Sequence, residues 1–182
     1  FFRPCCYYSD MLTAKNGTNY SVTSDRISTV WNSDGLRDIR KKMLAGEKLP
    51  KCSQCYSEEL ASETSLRMRS LKDWSDHPTV HAAFLEAEKN DGHVSSNPLY
   101  LELKPGNLCN LKCRMCNQFD SSSVAAEIKD LSKKYDGLIA KDDPRLFDKS
   151  ALEVDFSVDQ MPNWSQIPEF WDDIAKLLPS VE

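Results

Sequence analysis

The segment CNLKCRMC, residues 109–116, sets Cys109, Cys113 and Cys116 in a C-x3-C-x2-C pattern, and this constrains the chain more than any other feature. A structural zinc site takes four protein ligands and a disulfide framework takes an even number, so three thiols call for a different reading. Cysteine thiolates hold iron–sulfur clusters, and soft sulfur prefers that chemistry to magnesium or calcium sites. A cube of four irons and four sulfides has four corner irons. A loop donating three thiolates fills three corners and leaves the fourth open, just as a catalytic zinc keeps one position for substrate. The short gaps let one loop wrap three neighbouring corners without help from distant chain. The same spacing also occurs in half of a zinc site or in a trio of buried thiols. The strand expected before it and the serine-rich helix start after it favour the cluster.

Cysteine usage points the same way. Of the seven cysteines in 182 residues, Cys5 and Cys6 are adjacent, Cys52 and Cys55 form a C-x2-C pair, and the rest lie in the 109–116 loop. An odd number in tight local groups suits metal ligation better than a secreted disulfide scaffold, and implies a reducing, cytoplasmic setting. Hydrophobic residues make up 40% of the chain and charged residues 28%, which fits a globular core. The formal net charge of −5 and the lack of a basic stripe argue against nucleic acid and anionic membranes as partners. No apolar run approaches the roughly 20 residues of a membrane helix.

Periodicity predicts several helices and a few short strands. The stretch 21–31 suits a small hairpin. Residues 33–47 read as a helix capped by Ser33 or Asp34, with Leu36, Ile39, Met43 and Leu44 on one face and Gly46 ending it. Cys52 and Cys55 follow Pro50 at the start of another helix. Residues 76–90 read as a helix with Pro78 in its first turn and Val80, Phe84 and Leu85 buried. The polar, turn-rich stretch 90–98 marks a domain boundary. Leu99, Leu101 and Leu103 then alternate with polar residues as in a strand ending at Lys104, before Pro105 and Gly106. A helix over 120–137 is expected to bury Val124, Ile128, Leu131 and Tyr135 and to stop at Gly137. A further strand is possible in 151–158, and a last helix begins near Pro168. Trp164 and Trp171 read as core, and Glu58 and Glu59 as solvated helix surface. His77 and His81, four apart, lack a carboxylate or cysteine that would complete a metal site.

At GNLCNLKCRMC the chain resembles the radical S-adenosylmethionine enzymes, whose hallmark is C-x3-C-x2-C in the loop after the first barrel strand. The resemblance implies that Cys109, Cys113 and Cys116 ligate a 4Fe-4S cluster and that its open iron chelates S-adenosylmethionine. It further implies reductive cleavage to methionine and a 5′-deoxyadenosyl radical, which abstracts hydrogen from a substrate. The residue before the third cysteine is usually aromatic and its neighbourhood touches the adenine. Met115 stands there instead, and a methionine can also pack against a base. The words RPCCYY, GLRDIRKKMLAGEKLPKCSQCYSEE and SLRMRS resemble SPASM and twitch auxiliary-cluster modules. That resemblance implies a second iron–sulfur cluster on Cys5, Cys52 and Cys55, with Cys6 a substitute ligand or a small hydrophobe. The module here precedes the barrel segment, whereas it mostly follows it.

The fold this implies is α/β: the first strand-loop-helix portion of an incomplete (β/α) barrel over 96–182, preceded by a small, mainly helical twitch-like module over 1–95. The chain after Cys116 is far shorter than a barrel of about 250 residues requires. The expectation is therefore an internal fragment of an oxidoreductase or maturase-like enzyme, inactive by itself. Its parent would act on a peptide or protein and draw electrons from a donor such as flavodoxin or ferredoxin. The rival expectation is a non-catalytic zinc-binding interaction module, completed by Cys5, Cys6, Cys52 and Cys55.

Overall fold

Polar caps and apolar spacing set the helices of this chain. The computed structural model describes residues 1–104, 106, 108–116, 120–134 and 164–181. Two units result, one of Phe1–Glu102 with Pro168–Glu182 and one of Leu103–Ile167.

In the first unit, α1 (Ile27–Trp31) is too short to hold itself, and its own N-cap residue Arg26 makes no side-chain cap. The cap comes from α7 (Pro168–Leu177) instead. The buried Asp173 carboxylate accepts the Ile27 N–H at 2.6 Å, and the Arg26 guanidinium donates to the Glu169 carbonyl. Ile27, Phe170, Ile174 and Leu177 are buried on the two helices. Helix α2 (Asp34–Leu44) opens on Ser33, whose hydroxyl accepts the Leu36 N–H, and closes on Gly46 at φ +74°, as its sequence predicts. A 3-10 turn at Pro50–Cys52 leads into α3 (Ser53–Leu60). Helix α4 (Leu66–Trp74) is capped by the fully buried Ser65. Helix α5 (Pro78–Lys89) packs on α2 and is capped by His77, whose Nδ1 accepts the Thr79 N–H. The main core joins Leu12, Val30, Leu36, Ile39, Leu49 and Cys52, with Phe2, Tyr8, Tyr20, Trp31 and Tyr56 packed around it.

The polar stretch after α5 is stitched down. Asn32 pairs with both backbone groups of Val94, and the Trp31 indole donates to the Ser96 carbonyl. Arg40 donates to the Trp31 and Gly92 carbonyls and to Asn32 Oδ1, and lies 4.4 Å over the Trp31 ring. Burial lowers the Arg40 pKa to about 10.

In the second unit, α6 (Ser122–Lys134) follows the cysteine loop. Ser121 is fully buried, and its hydroxyl accepts the Val124 N–H.

The expected α/β architecture is not what the chain forms. Among the described residues there is no strand or sheet, and the elements are helices and 3-10 turns. Leu99 and Leu101 are half-buried while Tyr100 and Glu102 are exposed, but Leu103, expected on the same side as the other leucines, is exposed, so the alternation holds only in part. A strand also needs a neighbour for its backbone hydrogen bonds, and none lies beside this one among the described residues. The first strand of a partial barrel is therefore a coil segment, and the barrel portion expected over 96–182 loses its defining element. The hairpin expected over 21–31 is replaced by a turn, closed by Asp25 on the Ser21 N–H, and by α1. Hairpin-like pairing occurs earlier, at an antiparallel bridge between Thr13 and Asn19 around Asn16 and Gly17. On α5 the side toward α2 carries Ala87, which is buried, whereas Phe84 and Leu85 are 56% and 41% exposed. Trp171 is exposed, and Phe170 takes the buried place. On α6, Val124 and Ile128 are half-buried but Leu131 is exposed. The expectations for Tyr135, Gly137, the Trp164 side chain and residues 151–158 lie outside the described residues. No helix among the described residues is long and apolar enough to cross a membrane.

Candidate metal centres

All seven cysteines are free thiols, and they fall into two places. The first is built on the turn before α3. Pro50 pre-sets the 3-10 turn, and the Cys52 N–H donates to the Leu49 carbonyl at 2.9 Å. Cys55 follows three positions on, so the two thiols share one side of the helix start. Both residues are buried, Cys52 against the core that holds Leu49. The N-terminal loop is laid over this turn by the Ser9 N–H on the Lys51 carbonyl at 3.0 Å and by the Asp10–Lys51 ion pair. Phe2 and Tyr8 pack on the same core. Cys5 is thereby brought within electrostatic reach of Cys52. Burial pushes the Cys52 thiol pKa up, and Cys5 and Cys55 push it further, while Arg67 opposes them. Burial and the same Cys52 raise the pKa of Tyr8.

Cys6 turns elsewhere. Burial raises its pKa, and Glu102 raises it next, as a neighbouring charge and a hydrogen-bond partner of the thiol. Cys5 and Cys55 thus act on Cys52 and Cys6 pairs with Glu102, but among the described residues no three of these side chains form a metal-holding group.

Arg67, Glu59 and Ser65 were not anticipated as part of this place. Glu59 accepts from Arg67 Nε at 3.1 Å, from Arg67 Nη2, and from the Ser65 hydroxyl at 2.6 Å. Glu59 is thus a network residue and not the solvated surface its position suggested. Its carboxyl is held below the usual range, first by Arg67 and then by Ser65. The Arg67 guanidinium lies 5.4 Å from the Tyr56 ring centre and Lys48 lies 5.6 Å from it. A serine preceding LRMR was the available cue to the cap, but nothing in the sequence tied Arg67 to Glu59.

The second place is the 109–116 loop. Cys113 is exposed and Cys109 and Cys116 are half-exposed. The Cys116 N–H donates to the Cys113 carbonyl at 2.9 Å, which turns the chain between them. The start of α6 then grips the loop. The Ser123 hydroxyl donates to the Cys109 carbonyl at 2.8 Å, Ser122 bonds the same residue, and the Ser121 hydroxyl donates to the Leu111 carbonyl at 3.0 Å. Lys112 pairs with Glu127 at 3.4 Å, and Lys104 with Asp120 at 3.4 Å. Met115 is 97% exposed, so its thioether is free to meet a ligand. A shallow groove of about 440 Å³ runs along α6 beside Lys112, Ser123 and Glu127.

The thiols suit a soft metal in donor chemistry. Around one zinc, sulfurs at about 2.3 Å from the metal stand about 3.8 Å apart. Among the described residues no three His, Cys, Asp or Glu side chains converge in that way. Thiolates of a cluster bind separate irons, so their fit rests on three thiols being available in one place. Comparison with protein-family models, with characterised proteins and with solved structures finds no match.

Proposed function

We propose that this chain carries radical S-adenosylmethionine chemistry, with a 4Fe-4S cluster held by Cys109, Cys113 and Cys116 and S-adenosylmethionine at its open iron. When bound, the reduced cluster supplies the electron that cleaves the cofactor. The observation that carries the reading is the availability of three free thiols on one short loop, pinned at its base by hydroxyls of α6. The roles of the chain's own residues follow from their positions. Ser121, Ser122 and Ser123 hold the loop backbone and leave the thiols free. Met115 offers an apolar, polarizable contact for the cofactor's adenine. Cys5, Cys52 and Cys55 would hold an auxiliary iron–sulfur cluster. The same proposal includes an oxidoreductase acting on a peptide or protein in the cytoplasm, served by a flavodoxin- or ferredoxin-like donor.

The test is anaerobic reconstitution with iron and sulfide, followed by metal and sulfide analysis. The wild-type chain should take up two clusters. C109A/C113A/C116A should lose one and C5A/C52A/C55A the other. Stoichiometric zinc in place of iron and sulfide would instead identify a structural zinc module.

A further inference from the structure

Helix α5 packs on α2 with Ala87 buried and Val80 and Ala83 half-buried, and its other side faces solvent. His81, Phe84, Leu85 and Glu88 are all exposed there, Phe84 at 56% and Leu85 at 41%. Positions three, four and seven apart form one row along a helix, and such a row is the seam by which one helix meets another. A single exposed apolar residue is ordinary on a protein surface. Here two large ones stand together at the middle of the row, with a polar group at each end. The side chains of His81 and Glu88 make no hydrogen bond or ion pair among the described residues.

We infer that this row docks a second copy of the chain, with the two α5 helices antiparallel about a two-fold axis that passes between Phe84 and Leu85. A two-fold contact is isologous, so each residue must suit the one that symmetry sets against it. An axis at that point gathers both Phe84 and both Leu85 side chains around itself. Positions 81 and 88 lie equally far from it on either side, so His81 stands level with the partner's Glu88, and the pairing occurs twice. An imidazole N–H donates to a carboxylate, and a protonated ring adds the opposite charge. The row is thus complementary to itself when read backwards. A parallel pairing would instead set histidine against histidine and glutamate against glutamate. One pair of 12-residue helices buries less than the roughly 1,200 Å² that separates stable interfaces from transient ones, so the dimer is weak and forms at high concentration. The inference depends on neither cluster.

Sedimentation velocity of the full chain tests this, across a concentration series reaching about 1 mM. The protein is kept reduced so that the exposed Cys5, Cys6 and Cys113 thiols do not cross-link copies. The expected result is a reversible monomer–dimer equilibrium. F84E changes an exposed position, so it should leave the circular dichroism spectrum unchanged while removing the dimer. E88K puts a cation against the partner's His81, and H81E puts an anion against the partner's Glu88. Each should weaken the dimer about tenfold, because the mismatch occurs twice. H81E/E88K exchanges the two roles and should restore wild-type association. A chain that stays monomeric at every concentration overturns the inference and leaves the row to another occupant or to none. A dimer indifferent to F84E overturns it as well, and so do assemblies that grow beyond two copies. A double variant as weak as the single ones refutes the antiparallel register.

Discussion

Ser121→Ala tests whether the start of α6 holds the cysteine loop. The side chain is fully buried and does two things, accepting the Val124 N–H at 3.3 Å and donating to the Leu111 carbonyl at 3.0 Å. Loss of a serine cap costs about 1 kcal/mol. Loss of the second bond costs about 1 kcal/mol more. Together they make local opening about 30-fold easier, at 1.4 kcal/mol per factor of ten. Hydrogen exchange followed by mass spectrometry reads this directly. The Ala125 N–H bonds the Ser121 carbonyl and the Cys116 N–H bonds the Cys113 carbonyl, so both amides should exchange about 30-fold faster. Ser121→Asp separates the two roles, because a carboxylate caps the helix but cannot donate to Leu111. It should restore Ala125 and leave Cys116 fast. Protection unchanged at both amides in S121A would refute the idea that this serine ties the helix to the loop.

Three other outcomes follow from the first unit. Asp173→Ala leaves the Ile27 N–H without its 2.6 Å partner and should cost about 2–3 kcal/mol, read by urea unfolding. Gly92→Ala should cost more than Gly46→Ala in the same assay. Both sit at positive φ, but an added Cβ at 92 would stand 2.5 Å from the Arg37 carbonyl oxygen, while the space at 46 is open. Acid should also weaken the fold. Lysine and arginine partners lower the pKa of Asp10, Glu59 and Asp91, and the Ser95 N–H lowers that of Glu86. Their folded pKa values lie below the unfolded ones, so their contribution is present above about pH 4 and is lost as pH falls through the folded values. A variant with D10N, E59Q, E86Q and D91N should show a shallower acid limb in the same unfolding measurement.

What the sequence made legible was local. Ser33, Gly46, Pro78 and the serines before α6 act through neighbours in the chain, and the helices they bound form where expected. The cysteine groups were equally plain, and Cys5 acts electrostatically on the buried Cys52. The bridge between Thr13 and Asn19 closes around Asn16-Gly17, a pair that favours hairpin turns, in a stretch where no hairpin was expected. What failed depended on distant partners. The alternation at Leu99–Leu103 describes one face of a segment but cannot supply the strand that would pair with it. Helix α1 exists because Asp173, far along the chain, caps it, and no local pattern announces that. Phe84 and Leu85 carry the right spacing for a buried face, yet α2 meets the small residues on α5. Arg67 was invisible for the same reason: its partner Glu59 belongs to another helix.

The central claim is an open iron on the 109–116 loop, and electron paramagnetic resonance reads it. Anaerobically reconstituted C5A/C52A/C55A, carrying only Cys109, Cys113 and Cys116 as cluster ligands, would be reduced and measured with and without S-adenosylmethionine. A reduced-cluster signal that changes on adding the cofactor is the expected result. A signal indifferent to the cofactor, or zinc with no signal at all, would contradict the account.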